Sequence, residues 1–390
     1  MVTPVRGWIV PLTYLLLCST VLAETVWNVQ RVNGRRHVPL EDVAKFYRLN
    51  QEVSTSKSYR LAAGNREIQG KVGTREIYIN NVKFVLCFPV RRVGDKTLIS
   101  AMDVTKIIEP VMRPQKIKNP EPLRTVILDP GHGGHDSGAT SKFGREKDFA
   151  LDVALRARQL LQINGYKVHM TRMDDVFVPL EKRAAMANRY PAAIFISIHF
   201  NKSRSGGGTG IETFALAPRG VPSMDKEQVS FSDLRAHSGN ERDPENIALA
   251  TVMHSSMLRN LEMPDRGVKR ARFVVIRDVT IPGVLLEGGF VNHPHDGPKI
   301  ANKAYRHQLA VSIAEGVQNY QRLVAGGDEP KREPTLVITP TDPGNVPRVS
   351  LMEQLKEKEE NQKPGERTPV DASVARIEVL EPAVVTSGAN

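Results

Sequence analysis

Residues 125–140 read TVILDPGHGGHDSGAT. Thr125 to Leu128 is a β-branched and aliphatic run, the pattern of a buried strand. Asp129-Pro130-Gly131 stops that run and leaves His132 at the strand's carboxyl end. Gly131, Gly133, Gly134 and Gly138 free the backbone to turn sharply and to approach a ligand closely. In an open α/β sheet, ligands bind at that edge. Taken alone, the stretch is equally a tight turn with an incidental histidine.

Two other stretches decide between these readings. Glu146 lies in Gly-Arg-Glu-Lys-Asp, just ahead of a helical pattern, and AIFISIHF (Ala193 to Phe200) is a second apolar strand that delivers His199. Two histidines and a carboxylate carried on separate elements match a His2Glu zinc site, in which three protein ligands leave the fourth position open. A later apolar strand, Gly283 to Leu286, runs into Glu287-Gly288-Gly289-Phe290. Its carboxylate is placed to act as general base.

Together these motifs resemble the zinc-dependent N-acetylmuramoyl-L-alanine amidases of the type 3 cell-wall hydrolase family. The carrying residues are DPGHGG with His132, REKD with Glu146, FISIHFN with His199 and LLEGGFVNHP with Glu287. TRMDDVFVPLEKRAAMAN (Thr171 to Asn188) and RGVKRARFVVIRD (Arg266 to Asp278) support them. The resemblance implies Zn2+ on His132, Glu146 and His199, with Glu287 in proton transfer. It also implies hydrolysis of the amide joining N-acetylmuramic acid to L-alanine in peptidoglycan. Two alternatives stand beside it: a zinc peptidase or carboxypeptidase cleaving within the stem peptide, and a non-catalytic wall-binding protein. A carboxypeptidase requires a converging arginine clamp, for which Arg172, Arg183 and Arg266 are the candidates.

The 390 residues, 40% hydrophobic and 25% charged, are ordinary globular composition and exceed one typical domain. The net charge of +11 suits an anionic envelope surface. No aromatic-interleaved basic patch or groove-reading motif is present, so no nucleic-acid partner is expected. Residues 1–23 read as a signal peptide: Arg6, an apolar core over Trp8 to Leu17, and Val21-Leu22-Ala23 as the cleavage site. The apolar run is too short to span a bilayer, so no stable membrane insertion is expected. Cleavage there removes Cys18 and leaves Cys87 without a disulfide partner. The expected product is exported, periplasmic or extracellular and associated with the cell envelope, a monomer whose activator, if it has one, is not named by the sequence.

The remaining chain divides into a small α+β domain over 24–114, a linker over 115–123, a catalytic domain over 124–324 and a disordered tail over 325–390. The 24–114 unit is similar to the stalk-type domain named after copper amine oxidases, and a wall-binding or spacer role is expected of it. In it, Arg75 to Phe84 alternates like one half-buried strand. The catalytic domain alternates strands and helices, which predicts a three-layer αβα fold around a mostly parallel sheet. Expected elements include helices over Lys147 to Asn164, Asp243 (as cap) to Leu261 and Pro298 to Val324, and a strand over Arg272 to Arg277. The polar insert between Leu216 and Asp243 reads as a loop. Some members of the family carry a partner-released blocking helix in this region; the insert is too short and polar to match it. His169 and His254 read as packed residues, His135 as solvent-facing, and Asp129 as the acceptor behind a metal-ligating histidine.

Overall fold

The computed structural model describes residues 27–117, 123–203, 207–223 and 229–325. The expected signal peptide and the tail beyond Ala325 lie outside the described residues, as do 118–122 of the expected linker. Among the described residues no helix is long and apolar enough to cross a membrane, and Cys87 is a buried free thiol.

The Thr125–Pro130 strand lies between Lys167–Met170 and Ala193–Asn201, parallel to both. Ala193–Asn201 in turn pairs in parallel with Gly283–Phe290. Ile211–Leu216 runs antiparallel to Gly283–Phe290 and parallel to Asp265–Ala271. The sheet is therefore mostly parallel, with one reversed pair beside the strand of Glu287.

Alternation along these strands makes the layers. Val126, Leu128, Ile194, Ile196, Ile198, Val284 and Leu286 face a core shared with helices Glu146–Ile163, Asp243–Asn260 and Lys303–Val324. Ile127, Phe195, Phe214 and Leu285 face the opposite way, onto Ala184, Ala187, Val275 and Ile276 of the Leu180–Ala187 and Val274–Arg277 helices. The three-layer αβα arrangement follows.

The N-terminal residues add a meander of five antiparallel strands from Asn50–Ser54 to Val82–Val85 and a separate four-stranded sheet. The meander continues the catalytic sheet through pairing of Phe84 with Val268. The buried Arg270–Asp243 ion pair, 2.6 Å, reinforces this junction, with Arg270 also donating to the Lys106 carbonyl.

Four local expectations are corrected. The strand expected over Arg272 to Arg277 lies earlier, at Asp265–Ala271, and Val274–Arg277 is a helical turn. The basic residues of this earlier strand do not keep it at the surface, because Lys269 and Arg270 are buried against Glu212 and Asp243. Arg75 to Phe84 is a hairpin, Glu76–Ile79 and Val82–Val85, because Asn80 and Asn81 adopt φ of 49° and 65° in a two-residue turn. The last helix is split into Asp296–Ala301 and Lys303–Val324 by Asn302, whose side chain caps the Ala304 amide at 2.8 Å. Asp243 begins its helix without capping it, since its carboxylate is held by Arg270.

Candidate metal centre

The site lies at the carboxyl edge of the parallel strands. Thr125–Pro130 ends at Pro130, and His132 follows with φ 59°, a left-handed conformation uncommon outside glycine. Arg172 and Arg183 hold that loop. Arg172 is buried and donates to the carbonyls of Pro130, Gly131, Lys147 and Asp174 at 2.7–3.0 Å. Arg183 donates to Val178, Pro130 and His132 carbonyls and to Asp129 Oδ1 at 2.7–2.9 Å. Lys147 closes the outer side, its ammonium 2.7 Å from the Gly134 carbonyl and 2.6 Å from Asp175. Neither Arg172 nor Arg183 is a substrate clamp: their guanidiniums are occupied by the loop.

His132, Glu146 and His199 converge. His132 Nε2 and His199 Nδ1 lie 3.0 and 2.9 Å from the same oxygen, Glu146 Oε1, and the donor atoms of all three residues fall within 4.8 Å of one another. Glu146 opens its helix, is buried, and also accepts from the amides of Ala139 (2.8 Å) and Phe200 (3.1 Å). Burial acts to raise its carboxyl, but the hydrogen bonds and charges of His132 and His199 outweigh burial and hold it well below the usual range. Two glycines admit the ligands. A Cβ on Gly131 would run into the His199 ring, and one on Gly138 would sit 2.6 Å from both Glu146 Oε2 and His132 Cδ2.

The acceptor behind His132 is Asp136, 2.8 Å from Nδ1, and not Asp129 as expected. This bond takes the Nδ1 proton and leaves the Nε2 lone pair for an ion. Asp129 is fully buried and binds Arg183, Thr171 Oγ1 and Ser197 Oγ, so it anchors the loop from beneath. An acid four residues after a candidate ligand was the signal that could have found Asp136.

Glu287 is paired in register with His199 on one side and Glu212 on the other, so these three side chains form a row on one sheet face. It is 8% exposed, and its Oε2 has no hydrogen-bond partner. Burial and the charges of Glu146 and Glu212 push its carboxyl well above the usual range, against the pull of Lys269. Glu212, missed in the sequence, accepts from Lys269 Nζ (2.7 Å), Asn201 Nδ2 (3.1 Å) and Arg266. Its signal was a carboxylate inside the apolar run IETFAL. Arg266, the third clamp candidate, is thus paired with Glu212 and lies over the Phe290 ring.

Other histidines fall outside the row. His254 is buried between Thr213 and Asp265, as a packed residue should be. His135 is exposed against Phe177. His169 is an exposed edge-strand residue stacked on Tyr190, not a core residue. His237 opens a short 3-10 turn near Asp278.

Two histidines and a carboxylate with an open face, beside an unpartnered buried carboxyl, fit a catalytic divalent ion with nitrogen and oxygen donors. The sequence model of the family described as N-acetylmuramoyl-L-alanine amidase matches residues 126–319, which contain all four residues. The chain belongs to this amidase family. It is similar to the N-acetylmuramoyl-L-alanine amidase AmiA of Escherichia coli, 30% identical over 227 residues that cover 53% of this chain and 78% of AmiA. It is also similar to the amidase CwlM of Bacillus licheniformis, 33% identical over 195 residues covering 49% of this chain and 66% of CwlM. A solved amidase from Clostridium difficile 630 shares 32% identity, with 51% of this chain and 97% of that chain covered at a TM-score of 0.42. The amidase is accordingly a hydrolase of the amide bond between N-acetylmuramic acid and L-alanine in peptidoglycan.

Proposed function

We propose that the amidase performs this hydrolysis with Zn2+ held by His132, Glu146 and His199 and with Glu287 as the proton-transfer group. The convergence of both imidazoles on Glu146 Oε1, at 2.9 and 3.0 Å, carries the reading. An ion held there supplies Lewis acidity, which acidifies water toward a pKa of ~7, draws charge off an amide carbonyl and offsets the repulsion around Glu287.

The chain's own residues do the rest. Asp136 fixes the tautomer and ring plane of His132, and the amides of Ala139 and Phe200 orient Glu146. Glu287 Oε2, free of protein donors, accepts the proton of the attacking water and returns it to the departing nitrogen. Lys269 and Glu212, paired with each other, sit on the far side of Glu287 from His199, where the Lys269 charge favours the ionised Glu287 and the Glu212 charge opposes it. The occupied guanidiniums of Arg172 and Arg183 disfavour a carboxypeptidase, which needs a free clamp for a terminal carboxylate.

The site of action is the cell wall outside the membrane, reached through export directed by residues 1–23, and the N-terminal domain over 24–114 serves wall binding or spacing. Digestion of purified peptidoglycan, with products sized by mass spectrometry, tests the reaction. Intact stem peptides with a free L-alanine amine are expected, beside glycan strands bearing bare lactyl carboxylates. Stem peptides shortened from within would replace the amidase reading with the peptidase one.

A further inference from the structure

A second set of nitrogen and oxygen donors lies past the end of the Glu287 strand. His293, His295 and Asp296 bring one donor atom each to within 4.8 Å of one another. His295 Nδ1 is 3.0 Å and His293 Nδ1 3.6 Å from the same oxygen, Asp296 Oδ1. Donors on a tetrahedral ion at ~2.0–2.1 Å are about 3.3 Å apart, so these two separations bracket the required one. The catalytic trio shows comparable spacings, 2.9 and 3.0 Å.

Protonation favours an ion as well. His293 Nδ1 accepts from the His295 amide at 3.3 Å, so it is unprotonated, and an ion would take its lone pair in place of that long hydrogen bond. His295 Nδ1 points its proton at Asp296, and an ion can replace that proton. Asp296 is completely buried and fixed by Thr209 Oγ1 (2.6 Å) and by the amides of Gly210 (2.8 Å) and Phe290 (3.1 Å). The carboxylate is therefore rigid, while the His295 side chain is 51% exposed and gives access from solvent.

We propose that His293, His295 and Asp296 form a second, non-catalytic site for a divalent transition ion. Two imidazoles and one carboxylate select Zn2+ or its neighbours over Ca2+ and Mg2+, which require oxygen donors. Such an ion ties three segments together. Asp296 reaches Thr209 and Gly210 ahead of the Glu212 strand, and it reaches Phe290 at the end of the Glu287 strand. Asn292, one residue before His293, pins Ser203 through both its oxygen and its amide at 3.0 and 2.8 Å. The ion thus braces the two loops that flank the row of Glu287 and Glu212 without touching it.

Equilibrium dialysis of the full chain against Zn2+, followed by elemental analysis, tests this. The unsubstituted protein is expected to bind two equivalents, and the His293→Ala/His295→Ala and His132→Ala/His199→Ala proteins one each. The second equivalent should raise the melting temperature of the unsubstituted protein and leave that of His295→Ala unchanged. His295→Ala alone, at an exposed side chain, guards against a folding defect, which the zinc-free melt also reports. A single equivalent in the unsubstituted protein through about a tenfold excess of zinc would overturn the proposal, as would two equivalents in His293→Ala/His295→Ala.

Discussion

Replacing Glu287 with glutamine keeps the shape of the side chain and removes its capacity to take a proton. The carboxyl is 8% exposed, its Oε2 is unpartnered, and Glu146 and Glu212 both repel its charged form. Loss of general-base catalysis costs ~10²–10⁴-fold, or about 2.7–5.4 kcal/mol of barrier. The upper end is expected, because the same oxygen also returns the proton to the leaving nitrogen. Zinc should stay bound, since none of the three converging donors belongs to Glu287. Stability supplies a second readout in the zinc-free protein. The folded-state pKa of Glu287 is raised, so its contribution is fully present below the ordinary glutamate pKa and is lost as pH rises through the raised value. Glutamine removes that decline. Turnover on purified peptidoglycan, zinc by elemental analysis and urea unfolding across pH, all on one preparation, make the test. Turnover within tenfold of the unsubstituted enzyme, or loss of zinc, would refute the assignment.

Asp136→Ala should weaken zinc binding ~10–100-fold by freeing the His132 tautomer, while the melting temperature of the zinc-free protein hardly moves because the Asp136 side chain is 41% exposed; competition with a chromophoric chelator reads the affinity. Gly138→Ala, at φ 62° and with a Cβ 2.6 Å from Glu146 Oε2, should lower zinc affinity and add roughly 1–2 kcal/mol of backbone strain, seen by the same chelator assay and by urea unfolding. Asp103, fully buried, has its carboxyl pushed up to about 6 by burial despite hydrogen bonds from the Cys87 and Phe88 amides. Its raised folded pKa means that the stability it contributes is present below about pH 4 and is lost as pH rises to about 6; urea unfolding of Asp103→Asn should show a flatter slope across that window.

Much of the catalytic layer was legible because it rests on local signals. Apolar runs that give way to glycine or to a polar residue announced three strand ends, and His132 and His199 from two of them do meet Glu146 from the start of a helix. The alternation of Val126, Ile127 and Leu128 between two cores is likewise a pattern of period two. What stayed hidden depends on partners distant in the chain. The pairing of Lys269 with Glu212 and of Arg270 with Asp243 could not be read ahead, because only the fold brings those carboxylates beside them. Arg172 and Arg183 read as possible clamps because their carbonyl acceptors belong to another strand's loop. Asn80 and Asn81 escaped for another reason: a two-residue turn preserves the alternation on either side of it.

The buttressing of the glycine loop has a consequence for the proposed metal. Asp129, Arg172, Arg183 and Lys147 clasp the His132 segment entirely through protein groups. A zinc finger needs its ion in order to fold at all; with protein groups already holding this loop, the fold is expected to stand without an ion. Chelation should therefore silence the enzyme without unfolding it, and resupplied metal should revive it at once.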